Sequence, residues 1–494
     1  MLRTSASSDS KMGKVLNLDT INSRVRDMEY AVRGALPTRA EQLAQTLSCD
    51  STKASLPFKQ IIFCNLGNPQ QLEQKPLTFL RQVSSLVEYP ELLSPEKIEQ
   101  TKLLFPGDAI SRARSLLASV GPSIGAYTGS SGLLKVRQDV AKFIEHRDGF
   151  PSDPSNIQLT NGASEAVARI LELVVSDPSV GIMIPIPQYP LYTATLTRLG
   201  AQAVPYYLQE ESKWSMDVPG LTGILRAHRE KGINVRAIVI INPGNPTGGV
   251  LSSKNMSEIV QFCEREKLVI LADEVYQANT YDKKNTPFTS FKKVVSQLSS
   301  DVELFSFHSI SKGMVGECGR RGGYLEMHNI SDSVKDVLNK MASVSLCSNV
   351  PGQLAVDIMV NPPQPGDESH DQYNAELDSI YNSLKSRANK LYHAFNSLEN
   401  VSCQPAQGAM YLFPQIKLPN KFIDYCSKDN KLPDQEYCMR MLESTGVCVV
   451  PGSGFGQVQG TFHFRTTFLP QEKYFDSFIH LLTVFHKDFM NQFR

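Results

Sequence analysis

The stretch Val302-Glu-Leu-Phe-Ser-Phe-His-Ser-Ile-Ser-Lys-Gly313 runs an apolar segment straight into a lysine. Residues 302–307 have the make-up of a buried strand, and residues 309–313 read as the loop opening from its end. Lysine is usually solvated, and burying its charge costs several kcal/mol unless its pKa falls or the amine is used covalently. A desolvated Lys312 flanked by Ser309 and Ser311 and followed by Gly313 suits Schiff-base chemistry. That chemistry needs a neutral, nucleophilic amine with room to swing. Taken alone, Lys312 reads more readily as a solvated loop lysine, and its companions elsewhere in the chain decide.

Working outward, strand and helix patterns alternate. Strands are expected at 61–64, 157–160, 180–186, 237–241, 269–272, 302–307 and 323–327, and helices at 109–120, 133–147, 164–175 and 372–398. Several strand runs are apolar throughout, which predicts a sheet covered on both faces by helices. The fold class is therefore α/β, with a large domain on a mostly parallel central sheet and a smaller α/β domain built from both chain ends. Boundaries are expected at 1–59 for an N-terminal tail and arm, 60–108 plus 375–494 for the small domain, and 109–374 for the large one. The breaker-rich run Asn361-Pro-Pro-Gln-Pro-Gly-Asp-Glu-Ser369 precedes the long helix.

Composition narrows the function. The 494 residues carry fifty basic and fifty acidic side chains, so no net field draws the chain to nucleic acid or membrane. No apolar run approaches the ~20 residues of a spanning helix. Nine scattered cysteines without a C-x-x-C pair point to reduced thiols inside the cell and give no zinc spacing, so no metal is expected. The Ser-rich first fourteen residues, with Arg3, Lys11 and Lys14 but also Asp9, leave mitochondrial matrix and cytoplasm both open.

Four further motifs fall at strand ends, where α/β sheets bind ligands. Thr160-Asn-Gly-Ala-Ser-Glu165 passes from strand to helix and offers backbone N–H groups to an anion, although an ordinary N-cap explains it as well. Asn242-Pro-Gly-Asn-Pro-Thr-Gly-Gly249 is a rigid turn that either aims Asn245 at a ligand or simply connects elements. Asp273, ending an apolar strand, needs a cationic partner, whether a protein arginine or a protonated ring nitrogen. Arg465, inside Phe462-His-Phe-Arg-Thr466, offers a planar fork for a carboxylate, from either the protein or a substrate.

In the order anion cradle, asparagine, aspartate, lysine, arginine, these motifs resemble the fold-type I enzymes that use pyridoxal 5'-phosphate. Within them the chain is most similar to the alanine aminotransferases. Glu29-Tyr-Ala-Val-Arg-Gly34, Asn65-Leu-Gly-Asn-Pro-Gln70, Leu271-Ala-Asp-Glu-Val-Tyr-Gln277 and Val450-Pro-Gly-Ser-Gly-Phe-Gly456 carry that likeness alongside the Asn242 and Lys312 motifs. The resemblance implies transamination of L-alanine with 2-oxoglutarate to pyruvate and L-glutamate.

It also implies roles. Lys312 would bind the cofactor covalently, Asp273 would keep the ring nitrogen protonated, and Asn245 and Tyr276 would bind the ring oxygen. Tyr189 would stack on the ring, and Ala163, Ser164, Ser309, Ser311 and Arg321 would hold the phosphate. Tyr127 would reach the phosphate of a neighbouring subunit, implying a homodimer with shared sites. Arg465 would grip the substrate carboxylate, with Gly67 and Asn245 beside it. One departure stands out: the family usually has tyrosine before the phosphate-binding arginine, whereas Arg320 precedes Arg321 here, so Arg320 competes for the role. Another enzyme of the same cofactor class, an aromatic aminotransferase or a lyase, is the first rival. A non-catalytic ligand sensor on the same scaffold is the second.

Overall fold

The apolar strand runs assemble into one eight-stranded sheet in the computed structural model, which describes residues 15–30, 34–48, 56–121 and 123–494. Residues 1–14, residues 31–33 of the 29–34 motif, and Cys49 lie outside the described residues. In chain order the strands are β1 (Ile157–Thr160), β2 (Val180–Ile186), β3 (Gln202–Gln209), β4 (Ser215–Met216), β5 (Asn234–Ile241), β6 (Val269–Asp273), β7 (Leu304–Ser309) and β8 (Gly323–His328). Their spatial order is β1-β8-β7-β6-β5-β2-β3-β4. The five neighbours from β7 to β3 are parallel, β8 runs antiparallel between β1 and β7, and β4 closes the far edge antiparallel.

The continuous apolar runs now have their explanation. Successive strand residues face opposite sides of a sheet. Ile182, Ile184, Val239, Leu271, Phe305 and Phe307 pack on one face against Ala166, Val167, Ile170 and Leu171 of helix Ala163–Val174. Their neighbours Met183, Ile238, Ile240, Ile270 and Leu304 pack on the other against Met256, Ile259 and Phe262 of helix Ser253–Glu266. Both faces are core, so residues of both parities are mostly apolar. Strand β3 was not anticipated, because Pro205 interrupts it and its residues near the sheet edge are half exposed.

Around the sheet the helices used below are α1 (Gly107–Val120), α2 (Leu134–Asp148), α3 (Ala163–Val174), α4 (Val350–Val360), α5 (His370–Asn396) and α6 (Phe475–Phe493). A second core gathers Leu384, Leu391 and Phe395 of α5, Phe464, Phe468, Phe478 and Phe489, together with Ile62 and Cys64 from the other end of the chain. The stretch 60–108 divides between cores, since Phe79, Leu80 and Val83 pack with Ala113 of α1, Val136 of α2 and Leu354 of α4. The 27-residue α5 links the two bodies, with Tyr373 in one core and Leu391 in the other. The C-terminal ends of β1, β5, β6 and β7 lead directly into the Asn161, Asn242, Glu274 and Ile310 turns.

Candidate active site

Above those strand ends lies a cavity of about 340 Å³. Lys312, Asp273, Asn245, Tyr276, Tyr189, Ala163, Ser164, Ser309, Ser311, Arg321, Arg465 and Gly67 all line it. Tyr127 does not, and stands 77% exposed.

Strand β7 ends at Ser309, so Lys312 follows on the loop, where its Nζ donates to the Gly67 carbonyl at 2.6 Å. Gly67 admits no side chain here: a Cβ would collide with the Tyr411 hydroxyl and stand 3.0 Å from Lys312 Nζ. Asp273, the last residue of β6, is buried and accepts a hydrogen bond from the Tyr192 hydroxyl at 2.8 Å. Burial lifts its carboxyl to about 6, against the opposing pull of the Tyr192 hydroxyl, the Val275 N–H and the Lys312 charge. A carboxylate destabilised in this way favours a cationic partner.

At one end of the cavity α3 begins at Ala163, with Gly162 as N-cap and no side-chain cap on its first N–H groups. The Arg321 guanidinium reaches the same end, donating to the Asn161 carbonyl at 3.0 Å and the Ser311 hydroxyl at 3.5 Å. A helix N-terminus beside an arginine is suited to a phosphate. Gly162 has φ of 79°, and a Cβ there would meet the guanidinium at 2.5 Å. Arg320 is turned elsewhere, its Nε 3.2 Å from Glu317, and it is absent from the lining.

At the other end Arg465 is 1% exposed. It donates to Asn245 Oδ1 at 3.0 Å and to the Asn65 carbonyl at 2.5 Å, lies over the Tyr411 and Phe455 rings, and leaves Nε without a partner. Among the described residues no carboxylate lies within ion-pair distance of it. A buried guanidinium without a counter-ion is costly unless a ligand supplies one.

The sequence profile of the family described as "Aminotransferase class I and II" matches residues 96–479. The chain belongs to the class I and II aminotransferases. It is 52% identical over 97% of its length, and 90% of the relative's, to a protein of Dictyostelium discoideum named "Probable alanine aminotransferase, mitochondrial". It is 48% identical over 97% of its length, and 98% of the relative's, to an Arabidopsis thaliana protein named "Glutamate--glyoxylate aminotransferase 2". Among solved structures, one of an alanine aminotransferase from Pyrococcus furiosus superposes with a TM-score of 0.73 over 94% of this chain and 99% of its own, at 24% identity, and supports the fold.

Class I and II aminotransferases use pyridoxal phosphate, and the residues of this one fit it. The uncapped α3 N-terminus and Arg321 match its phosphate, buried Asp273 matches a protonated ring nitrogen, and Lys312 between them matches its aldehyde. The orphaned Arg465 Nε at the far end leaves a place for a substrate carboxylate.

Several residues of this aminotransferase's cavity were given no role from the sequence, although the stretch holding Tyr30 carried the family likeness. Tyr30 enters from the N-terminal arm, its hydroxyl hydrogen-bonded to that of Tyr189 and its ring edge-on at 6.2 Å. Tyr411 sits between Lys312 and Arg465, and although burial raises its phenol, those two charges and the Tyr276 hydroxyl at 3.2 Å bring it below its ordinary value. Tyr192 supports Asp273, and Cys318 donates to Asn68 Oδ1 at 3.1 Å.

Proposed function

We propose that the protein transfers the amino group of L-alanine to 2-oxoglutarate, giving pyruvate and L-glutamate. The observation that carries this reading is Arg465, a buried cation lacking a protein counter-ion in the cavity that also holds Lys312 and Asp273. Pyridoxal phosphate, when bound, supplies an aldehyde for the lysine and a ring that takes up the electron pair of the broken Cα–H bond. Ala163, Ser164, Ser309, Ser311 and Arg321 would hold its phosphate, and Tyr189 would stack on its ring. Asp273, stabilised as carboxylate by Tyr192, holds the proton on its ring nitrogen.

Arg465 binds the substrate carboxylate in the plane of its fork, while Asn245 and the Gly67 backbone fix the approach. Once the substrate amine has taken its place, Lys312 Nζ is free to remove the α-proton and to deliver it again on the reacting face. The two half-reactions use one set of residues, so the keto product leaves before the acceptor enters. Tyr127, exposed in the single chain, serves the phosphate of a neighbouring subunit, and the working form is a homodimer.

The deciding experiment mixes purified protein with pyridoxal phosphate, L-alanine and 2-oxoglutarate and follows pyruvate through lactate dehydrogenase. Pyruvate that needs both substrates and disappears in Lys312→Ala establishes the reaction. Repeated turnover of alanine without any oxo acid, beyond one product per bound cofactor, would mean a lyase, and glycine formed faster from glyoxylate than glutamate from 2-oxoglutarate would move the acceptor to the other relative's activity.

A further inference from the structure

A second and larger cleft, of about 1160 Å³, adjoins the lysine loop. It shares Lys312 with the active-site cavity and no other lining residue. α2, the connection 277–288 and α5 with the loop before it form its walls, and Gly313 and Met314 continue the partition. The proposed reaction uses none of its other residues.

The lining is amphipathic in a particular way. Phe143, Phe288, Tyr373 and Tyr381 give it aromatic sides, as small-molecule sites have. His308, 6% exposed, lines the cleft with Nδ1 lacking any hydrogen-bond partner. Burial and the Arg147 charge push this imidazole down to about 3, while the Glu274 carbonyl acts in the opposite direction. In the neutral ring with its proton on Nε2, Nδ1 keeps its lone pair. A buried acceptor left unmade asks for a donor.

The cleft leans positive. Besides Lys312, three cations, Lys142, Arg147 and Lys283, line it against two carboxylates, Asp139 and Asp378. Lys142 has Asp139 at 3.7 Å and Arg147 has Asp148 at 2.6 Å. Lys283 has only the Tyr381 ring, 4.6 Å from its Nζ, and no carboxylate within ion-pair distance among the described residues. Asp378, one turn from Tyr381 on α5, is the acidic side chain that works against an anion at this mouth.

We propose that this cleft binds a small aromatic carboxylate bearing a hydroxyl or N–H donor. The donor satisfies His308 Nδ1, the ring lies against the aromatic wall, and the carboxylate meets Lys283. Because Lys312, Gly313 and Met314 belong to the wall, an occupant contacts the same loop that carries the reactive amine, and the cleft becomes a regulatory site.

Equilibrium dialysis of the cofactor-loaded enzyme against labelled 4-hydroxyphenylacetate tests this, with 2-oxoglutarate at saturation to fill the active-site cavity. One molecule per chain is expected to bind at submillimolar concentration. Lys283→Ala, an exposed position, should weaken binding about tenfold or more, as should removal of the ligand's hydroxyl in phenylacetate. Asn374→Trp, at the mouth on α5, should abolish it, and Arg465→Met should leave it unchanged. No binding, displacement by 2-oxoglutarate, loss in Arg465→Met, or indifference to Lys283→Ala, Asn374→Trp or the missing hydroxyl would each overturn the proposal.

Discussion

Replacing Arg465 with Met separates a ligand-binding arginine from a structural one. In the free protein its guanidinium has two neutral acceptors, Asn245 Oδ1 and the Asn65 carbonyl, and an idle Nε. Met fills similar volume beneath Tyr411 and Phe455 and removes an unpaired buried charge, so unliganded stability should change by less than about 2 kcal/mol. The substrate carboxylate loses charge-assisted hydrogen bonds of about 1.5–3 kcal/mol, so kcat/KM for alanine should fall roughly 10- to 150-fold. A parallel effect appears in thermal unfolding. At 100 times its Kd, 2-oxoglutarate should stabilise the wild type by about 2.7 kcal/mol, and the same concentration should give the variant only about 0.3–1.4 kcal/mol. Coupled pyruvate kinetics and melting curves with and without 2-oxoglutarate measure both. An unchanged kcat/KM with an undiminished ligand shift would refute the reasoning. So would a loss of about 3–5 kcal/mol in the unliganded state, which is the mark of a broken buried ion pair.

Gly67→Ala should lower kcat about 100-fold or more with the fold intact by circular dichroism, because its Cβ displaces Tyr411 and Lys312. Arg321→Gln should raise the dissociation constant of pyridoxal phosphate about 10- to 150-fold in a fluorescence titration. Arg320→Gln should leave that constant alone and cost about 1 kcal/mol or less, since Glu317 keeps Arg81 at 3.0 Å. In the cofactor-free protein, the Asp273 carboxyl lies at about 6 against an ordinary 3.8, so the folded state holds its proton more tightly. Its contribution to stability is full below about pH 4 and is lost as pH rises through about 6. Tyr192→Phe removes the hydrogen bond that lowers this carboxyl, so urea midpoints should go on falling with pH beyond 6, whereas Asp273→Asn should flatten the same curve between pH 4 and 7.

The fold was legible where burial on both faces forces every residue to be apolar, as in β2 and β6, and where such a run ends abruptly in Asp273 or leads to Lys312. It was illegible in β3, whose edge position and Pro205 weaken the pattern. The site shows the same division. Lys312, Asp273 and Arg465 break local rules for their surroundings and so announce themselves. Tyr30, Tyr192 and Tyr411 break none, because a tyrosine suits any core, and only contacts across 81 to 159 residues of chain bring Tyr192 and Tyr30 to their partners. Choosing between Arg320 and Arg321 likewise needed Glu317, whose carboxylate draws Arg320 away.

The missing counter-ion of Arg465 also bears on which cellular amines the enzyme ignores. The aldehyde that Lys312 would hold reacts chemically with many primary amines, including decarboxylated amino acids. Such a molecule enters the cavity without neutralising the guanidinium, and its own ammonium adds a like charge to a water-poor space already holding one. In the proposed role, the arginine therefore acts as an electrostatic filter against idle deamination. It refuses the wrong amines by leaving its own charge uncompensated, independent of any steric fit to the side chain.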